Sequence, residues 1–184
     1  MATESFGPSA LATPANAVTI IRLLVAPVLF AMVAADGASW PAVAFWIVLA
    51  STDGLDGWIA RRQGTTRSGA FLDPLADKVL VLGAMWALVE KDVFWWLPVT
   101  LIAVREVGVS LYRSWEGRRG ISVPARPWAK VKTVVQDVAV GFALLPSTAT
   151  HPVIARTVLA IAVVLTLVTG AQYLLDGAKV RRAV

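Results

Sequence analysis

The chain has 184 residues and contains no cysteine, which excludes disulfide bonds and thiolate metal sites. It is also poor in charge, since Asp, Glu, Lys and Arg make up 16% of the residues, against about 25% in an ordinary soluble domain. Hydrophobic residues account for 57% of the chain, and the mean hydropathy is +0.68. This composition favours an integral membrane protein over a soluble protein with a large core.

The sequence shows no long internal repeat, no low-complexity linker and no recognisable signal peptide. Its N-terminal stretch has no basic start and carries Glu4 and Pro8 before any apolar run, so we expect the first membrane segment to remain uncleaved. One transmembrane domain is predicted at 16–176, between an N-terminal tail at 1–15 and a basic tail at 177–184. The net charge of +5 is explained by basic residues in loops beside membrane helices, so no nucleic-acid partner is expected.

Several apolar segments are long enough to cross a membrane, which takes about 20 mostly apolar residues. They lie at about 17–35, 40–61, 70–90, 93–113, 128–146 and 152–175. The predicted fold is therefore all-α, a polytopic membrane protein with six transmembrane helices. Basic residues cluster at one set of helix ends, whereas the opposite set holds only Lys91 and Arg156. By the positive-inside rule, the basic ends and both termini are predicted to be cytoplasmic.

Charged side chains occur inside these segments, although each costs roughly 2.5–3.5 kcal/mol on membrane-insertion scales. They include Asp53 and Asp56 in the second segment, Asp73 and Asp77 in the third, and Arg105 in the fourth. All lie toward the same, cytoplasmic side of the predicted membrane. Because such residues usually face a shared cavity, the sequence predicts a polar cavity open to the cytoplasm.

The four aspartates are spaced for metal binding. Asp53 and Asp56 stand at i and i+3, and Asp73 and Asp77 at i and i+4, so each pair lies on one face of its helix. The short connection makes the two helices antiparallel neighbours, and their carboxylates would repel one another unless cations neutralised them. Mg²⁺ bridges carboxylates to phosphate oxygens, and a two-metal site stabilises both oxygens of a phosphoryl displacement. A structural network of Asp–Arg pairs is the alternative interpretation.

The stretch from Asp53 to Asp77 contains DxxDGxxAR followed by GxxxDxxxD, with all eight signature positions filled. It resembles the signature of the CDP-alcohol phosphatidyltransferases; the resemblance covers residues 14–145, and the sixth helix adds little to it. It implies a six-helix membrane enzyme, usually a homodimer, that displaces CMP from a CDP-linked lipid with an alcohol. It further implies that the four aspartates bind two divalent cations, Mg²⁺ or Mn²⁺, and that Asp77 is the general base.

The resemblance also implies a binding site for the CDP-linked lipid. Its residues would be Asn16, Thr19, Gly57, Ala60, Arg61, Thr66 and Gly69. Arg61 and Thr66 are suitable hydrogen-bond donors to phosphate, and the small residues allow close approach of a ligand or a neighbouring helix.

The acceptor is indicated by other stretches, which resemble the phosphatidylglycerophosphate synthase branch of the family. They are NAVTIIR from Asn16, the pair Arg105-Glu106, and KVKTVVQ from Lys130, where Ala129 replaces the usual glycine. The basic residues on the fourth and fifth helices would form a wall for an acceptor that carries a phosphate, such as glycerol 3-phosphate. They are Arg105, Arg113, Lys130 and Lys132. Positive-inside anchoring is the alternative, and Glu106 either orients Arg105 or neutralises it.

The expected substrates are thus CDP-diacylglycerol and glycerol 3-phosphate, used at the cytoplasmic face of a bacterial inner membrane. Within the same family, a cardiolipin synthase or an inositol-phosphate transferase remains an alternative. A membrane prenyltransferase also uses aspartate-rich helices, but its two motifs usually lie in distant helices. A cation transporter would explain the acids but not the neighbouring Arg61 and Thr66.

Overall fold

The computed structural model describes residues 14–63, 67–118 and 128–182, without the side chains of 14–15, 53–73 and a few isolated positions near the later gaps. Within these ranges the chain forms helices and no strand, which confirms the all-α prediction. The helices are α1 (Pro14–Asp36), α2 (Trp40–Gln63), α3 (Arg67–Glu90), α4 (Trp96–Arg118), α5 (Trp128–Leu144), α6 (Pro146–Ala149) and α7 (Val153–Arg182).

The six predicted segments correspond in order to α1–α5 and α7, and the differences lie at the ends. α4 begins at Trp96 rather than at 93, and α7 continues to Arg182, beyond the predicted 175. The segments were delimited by apolar residues, whereas helical hydrogen bonding continues into polar ends. The short α6 was not predicted; it begins at Pro146, whose fixed φ suits a first helical turn.

Tight connections join neighbouring helices. Gly37 adopts a positive φ of 67° and donates from its N–H to the carbonyl of Val33 at 2.9 Å, which ends α1. The hydroxyl of Ser39 accepts a hydrogen bond from the N–H of Ala42 at 3.3 Å, at the start of α2. These contacts reverse the chain within a few residues and make α1 and α2 antiparallel.

The two basic residues expected on the outer side bind carbonyl groups there. Lys91 Nζ donates to the carbonyl of Ala35 at 3.3 Å, near the end of α1. Arg156 on α7 donates to the carbonyls of Asp92 and Val93 at 2.9 and 2.8 Å, in the connection between α3 and α4. Lys91 thus satisfies a carbonyl in the last turn of α1, where a cation is favourable, and Arg156 satisfies two carbonyls of the connecting loop.

The helices pack around a core of Leu, Val, Ala and Met side chains contributed by most of them. α1 packs against both α2 and α3, and α7 packs against α4 and α5. The ring of Phe30 on α1 occupies the space that a Cβ at Gly83 on α3 would need, so these two helices approach closely. The contacts of α3 with α4 and α5 join the two groups of helices.

Two described ranges are long and apolar enough to cross a membrane by length and composition, Asn16–Asp36 and Val153–Ala178. Trp40–Thr52 is apolar but shorter. The remaining predicted spans carry charged residues that interrupt their apolar runs, and within the described residues they do not meet the same test. Large apolar side chains such as Leu24, Val104 and Val153 are exposed, which suits contact with lipid.

Candidate active site

A cavity of about 190 Å³ lies between α3, α4, α5 and α7. Its lining includes four of the predicted site residues, Asp77 on α3, Arg105 and Arg113 on α4, and Lys132 on α5. The cavity therefore brings the predicted general base and three predicted acceptor-binding cations into one space.

Glu106 connects two of these cations. Its Oε1 atom accepts a hydrogen bond from Arg105 Nη1 at 3.1 Å and forms an ion pair with Lys132 Nζ. The three side chains are largely buried, with exposures of 12% for Arg105, 9% for Glu106 and 6% for Lys132. One carboxylate between two cations leaves the group with a net positive charge, which suits a bound anion. Glu106 thus both neutralises and orients, two roles that the sequence left open.

α7 also forms part of the cavity wall. The hydroxyl of Thr169 accepts a hydrogen bond from Arg105 Nη2 at 3.1 Å, and that of Thr166 accepts one from Gln136 Nε2 at 2.8 Å. Gln172 also lines the cavity, and its buried Oε1 has no hydrogen-bond partner within the described part of the chain. The family resemblance in the sequence gives this helix little part in the site.

Arg113, two turns further along α4 than Arg105, lines the same cavity. Its guanidinium carbon is 5.7 Å from the centre of the Tyr173 ring on α7, within the range of a cation–π interaction. Tyr173 in turn meets the ring of Tyr112 edge to face, with ring centres 6.1 Å apart. The absence of a side chain at Gly177 leaves room for the Tyr112 hydroxyl. Arg113 is thus held against α7 by an aromatic pair.

The structure does not bring Lys130 to the cavity with the other cations. Lys130 is exposed and is absent from the cavity lining, whereas Lys132 is buried. Residues two apart on a helix face different directions, so the two lysines of KVK face different surroundings in this structure.

The predicted nucleotide-binding face of α1 is buried. Asn16 and Thr19 are 1% and 0% exposed, and Arg22, one turn further along, is 1% exposed. Arg22 Nε donates to Thr52 Oγ1 at 3.1 Å, and Thr52 donates to the carbonyl of Leu49 at 2.6 Å. Thr52 directly precedes Asp53, so this face of α1 contacts the end of α2 that carries the first two aspartates.

Most of the predicted metal and nucleotide ligands lie outside the described side chains. They are Asp53, Asp56, Gly57, Ala60, Arg61, Thr66, Gly69 and Asp73. The backbone places Asp53 and Asp56 in α2, and Asp73 and Asp77 in α3. Of the four predicted metal ligands, Asp77 alone has a described side chain, and it is partly buried in the cavity wall. An all-carboxylate set of oxygen donors fits Mg²⁺ or Mn²⁺.

The chain matches the family model described as CDP-alcohol phosphatidyltransferase over residues 12–168. It belongs to the CDP-alcohol phosphatidyltransferase family. This confirms the resemblance seen in the stretch from Asp53 to Asp77 and identifies the protein as a membrane-embedded enzyme. Members of this family generally use divalent metal ions.

Relatives with assigned names match most of the chain. A Mycobacterium tuberculosis protein named probable phosphatidylglycerophosphate synthase is 40% identical over 174 residues, covering 91% of this chain and 82% of the relative. A Haemophilus influenzae protein named CDP-diacylglycerol–glycerol-3-phosphate 3-phosphatidyltransferase is 33% identical over 163 residues, covering 85% and 88%. An Escherichia coli protein of the same name is 40% identical over 134 residues, covering 68% and 73%.

Proposed function

We propose that this protein transfers the phosphatidyl group of CDP-diacylglycerol to glycerol 3-phosphate, giving phosphatidylglycerol phosphate and CMP in phospholipid biosynthesis. The observation that carries the proposal is the shared cavity of Asp77, Arg105 and Lys132. It pairs a carboxylate with buried cations, as required by an acceptor that has both a hydroxyl to be deprotonated and a phosphate to be held. The names of the relatives in three bacteria support the same substrates.

In this mechanism, Arg105, Lys132 and Arg113 bind the phosphate of glycerol 3-phosphate and direct its free hydroxyl toward Asp77. Asp77 accepts the hydroxyl proton as the oxygen attacks the lipid-linked phosphorus. A new P–O bond forms, the P–O bond to CMP breaks, and CMP leaves. Two divalent cations bound by the four aspartates would neutralise the pyrophosphate charge.

The nucleotide site of the proposal adjoins α1 and the two helices that pack against it, α2 and α3. Asn16 and Thr19 contact the CDP group together with small and basic residues of the stretch from Asp53 to Asp77, which we call the aspartate hairpin. Those hairpin residues are Gly57, Ala60, Arg61, Thr66 and Gly69. The buried contact between Arg22 and Thr52 supports this arrangement, because it keeps α1 against the end of α2 that begins the signature.

Acceptor specificity is tested with purified protein, CDP-diacylglycerol, Mn²⁺ or Mg²⁺, and one acceptor at a time. Glycerol 3-phosphate is expected to support CMP release, whereas glycerol, which lacks the phosphate, is expected to support little. Release with phosphatidylglycerol or inositol phosphate, but not with glycerol 3-phosphate, would assign another acceptor within the family.

For the topology, we propose six spans, α1–α5 and α7, in one domain at 16–176, with both termini and the active site in the cytoplasm of a bacterial cell. The protein is a homodimer in this proposal, as the family resemblance implies. The distribution of basic residues supports the orientation.

The chain contains no cysteine, so a cysteine introduced by mutation is the only residue of this protein that a thiol reagent can label. The topology can therefore be tested one position at a time. Ser147 and Ser114 are both exposed and lie toward opposite predicted sides. A membrane-impermeant reagent should label Ser147→Cys in intact cells and Ser114→Cys only after permeabilisation. Labelling of both variants in intact cells would contradict the orientation.

A further inference from the structure

Arg105 is held by two adjacent residues of α7 that touch different parts of its side chain. Thr169 Oγ1 accepts a hydrogen bond from Nη2 at 3.1 Å, at the guanidinium end. A Cβ at Gly170 would lie 2.9 Å from Nε and 3.0 Å from Cγ, so the aliphatic stem of Arg105 rests where a larger residue would place its side chain.

The hydrogen bond between Thr169 and Arg105 has a defined direction. The Thr169 hydroxyl donates its proton to the carbonyl of Leu165 at 2.7 Å, one turn earlier on α7. Its lone pairs are therefore available to the arginine, which only donates. A hydroxyl fixed in this way orients the guanidinium more narrowly than one that is free to rotate.

Glu106 holds the other terminal nitrogen of Arg105. Its Oε1 accepts from Nη1 at 3.1 Å, so the guanidinium is held between α4 and α7 with one contact on each terminal nitrogen. A guanidinium has five N–H donors, and these two contacts engage two of them. The group is thus fixed in orientation while donors remain for an anion in the cavity.

We propose that Thr169 and Gly170 are positioning residues, which set where Arg105 presents its guanidinium to the acceptor phosphate. α7 then takes part in acceptor recognition without itself touching the reacting atoms. The inference rests on the proposed function, because it takes the cavity between α3, α4, α5 and α7 as the acceptor site.

The test uses the full chain with four substitutions. Thr169→Val removes the hydroxyl at nearly constant shape, and Thr169→Ser restores it. Gly170→Ala forces the stem of Arg105 to shift. Gly108→Ala is the matched control, because a Cβ at that position on α4 meets nothing within 4 Å.

Two measurements are made on each variant. The first is KM for glycerol 3-phosphate and, separately, for CDP-diacylglycerol, from CMP release. The second is the rise in melting temperature produced by glycerol 3-phosphate alone, which reports acceptor binding without turnover. Thr169→Val is expected to raise KM for glycerol 3-phosphate about tenfold, the usual effect of losing a hydrogen bond to a charged group, and Gly170→Ala, which displaces the arginine, is expected to have a similar effect.

The same two variants should leave KM for CDP-diacylglycerol within twofold, as a rough bound on unrelated effects, and reduce the thermal shift. Thr169→Ser and Gly108→Ala should match the parent protein. Equal changes in both KM values, or no change in either measurement, would overturn the positioning role. If the parent protein neither turns over nor binds glycerol 3-phosphate but accepts another phosphate-bearing alcohol, the proposed function fails. The variants are then measured with that alcohol. A rise in KM for the alcohol, with KM for CDP-diacylglycerol unchanged, supports the positioning role, and equal changes in both overturn it.

Discussion

The aspartate hairpin and the cavity beside α7 differ in how their functional residues are distributed along the chain. In the hairpin, the four aspartates fall between Asp53 and Asp77 at helical spacings, so their grouping can be recognised locally. In the cavity, Glu106 contacts a lysine 26 positions away, and Arg105 contacts a threonine 64 positions away. In the proposed mechanism, the metal ligands thus come from one stretch of the chain, whereas the acceptor site is assembled by packing of distant residues. We expect the two regions to affect different kinetic parameters.

The largest effect is expected at Asp77, where the two regions meet. Asp77→Asn should lower kcat about 10²- to 10⁴-fold, because an amide cannot accept the proton of the acceptor hydroxyl. Mn²⁺ binding, followed by electron paramagnetic resonance, should be weakened but still present. Asp36→Asn, an exposed position at the far end of α1, is the matched control. Turnover near that of the parent protein would eliminate the general-base role.

A smaller effect, confined to the acceptor, is expected at Lys132. Lys132→Met removes a buried cation from the cavity wall and should raise KM for glycerol 3-phosphate about 10- to 100-fold, with little change for CDP-diacylglycerol. Lys130→Met, in the same turn but exposed, should change either KM less than about twofold. Equal effects of the two substitutions would show that both lysines reach the acceptor, contrary to their placement on α5.

A rise in KM for CDP-diacylglycerol, rather than for the acceptor, is expected at Arg22. Its partner Thr52 directly precedes Asp53, the first residue of the aspartate hairpin. Arg22→Met removes the hydrogen bond to Thr52 and should raise KM for CDP-diacylglycerol about tenfold, leaving that for glycerol 3-phosphate nearly unchanged. Thr52→Val should reproduce part of this change, because it removes the other partner. A rise in KM for glycerol 3-phosphate alone would contradict the assignment of the two regions to different substrates.

The smallest effect is expected at Tyr173. Tyr173→Leu keeps an apolar side chain but removes the ring beneath Arg113, an interaction worth about 0.5–1 kcal/mol at a partly exposed site. KM for glycerol 3-phosphate should therefore rise about two- to fivefold. Tyr173→Phe, which retains the ring, should resemble the parent protein, and a similar rise in that variant would assign the effect to the hydroxyl instead.

The helices were largely predictable because apolar length determines where a membrane helix can form. α1, α2 and α5 begin or end within a few residues of their predicted bounds. α6 was not predictable from that signal, because four residues are too few to show a periodic pattern. α4 and α7 extend beyond their apolar parts, which hydropathy alone does not reveal.

The sequence predicts the residue types that line the cavity better than it predicts how packing brings them together. Charge and position in the sequence indicate Arg105, Arg113 and Lys132, but they indicate Lys130 equally, because charge does not show which way a helix faces. The polar face of α7 is detectable in the sequence, because Thr166, Thr169, Tyr173 and Asp176 recur at intervals of three and four on an apolar helix, but hydropathy alone does not point to it. The role of Glu106 required the fold, since its partner Lys132 lies on another helix.

The contact between Phe30 and Gly83 sets the distance between α1 and α3, which carry two parts of the proposed site. Asp77 precedes Gly83 by six residues, about 9 Å along α3, and Arg22 precedes Phe30 by eight, about 12 Å along α1. Asp77 and Arg22 therefore both lie close to the point where α1 and α3 make contact. A side chain at position 83 would displace the Phe30 ring or separate the two helices, and in the proposed mechanism a separation would move the base away from the nucleotide. In that mechanism, the spacing of the two substrates would depend in part on a glycine that touches neither of them.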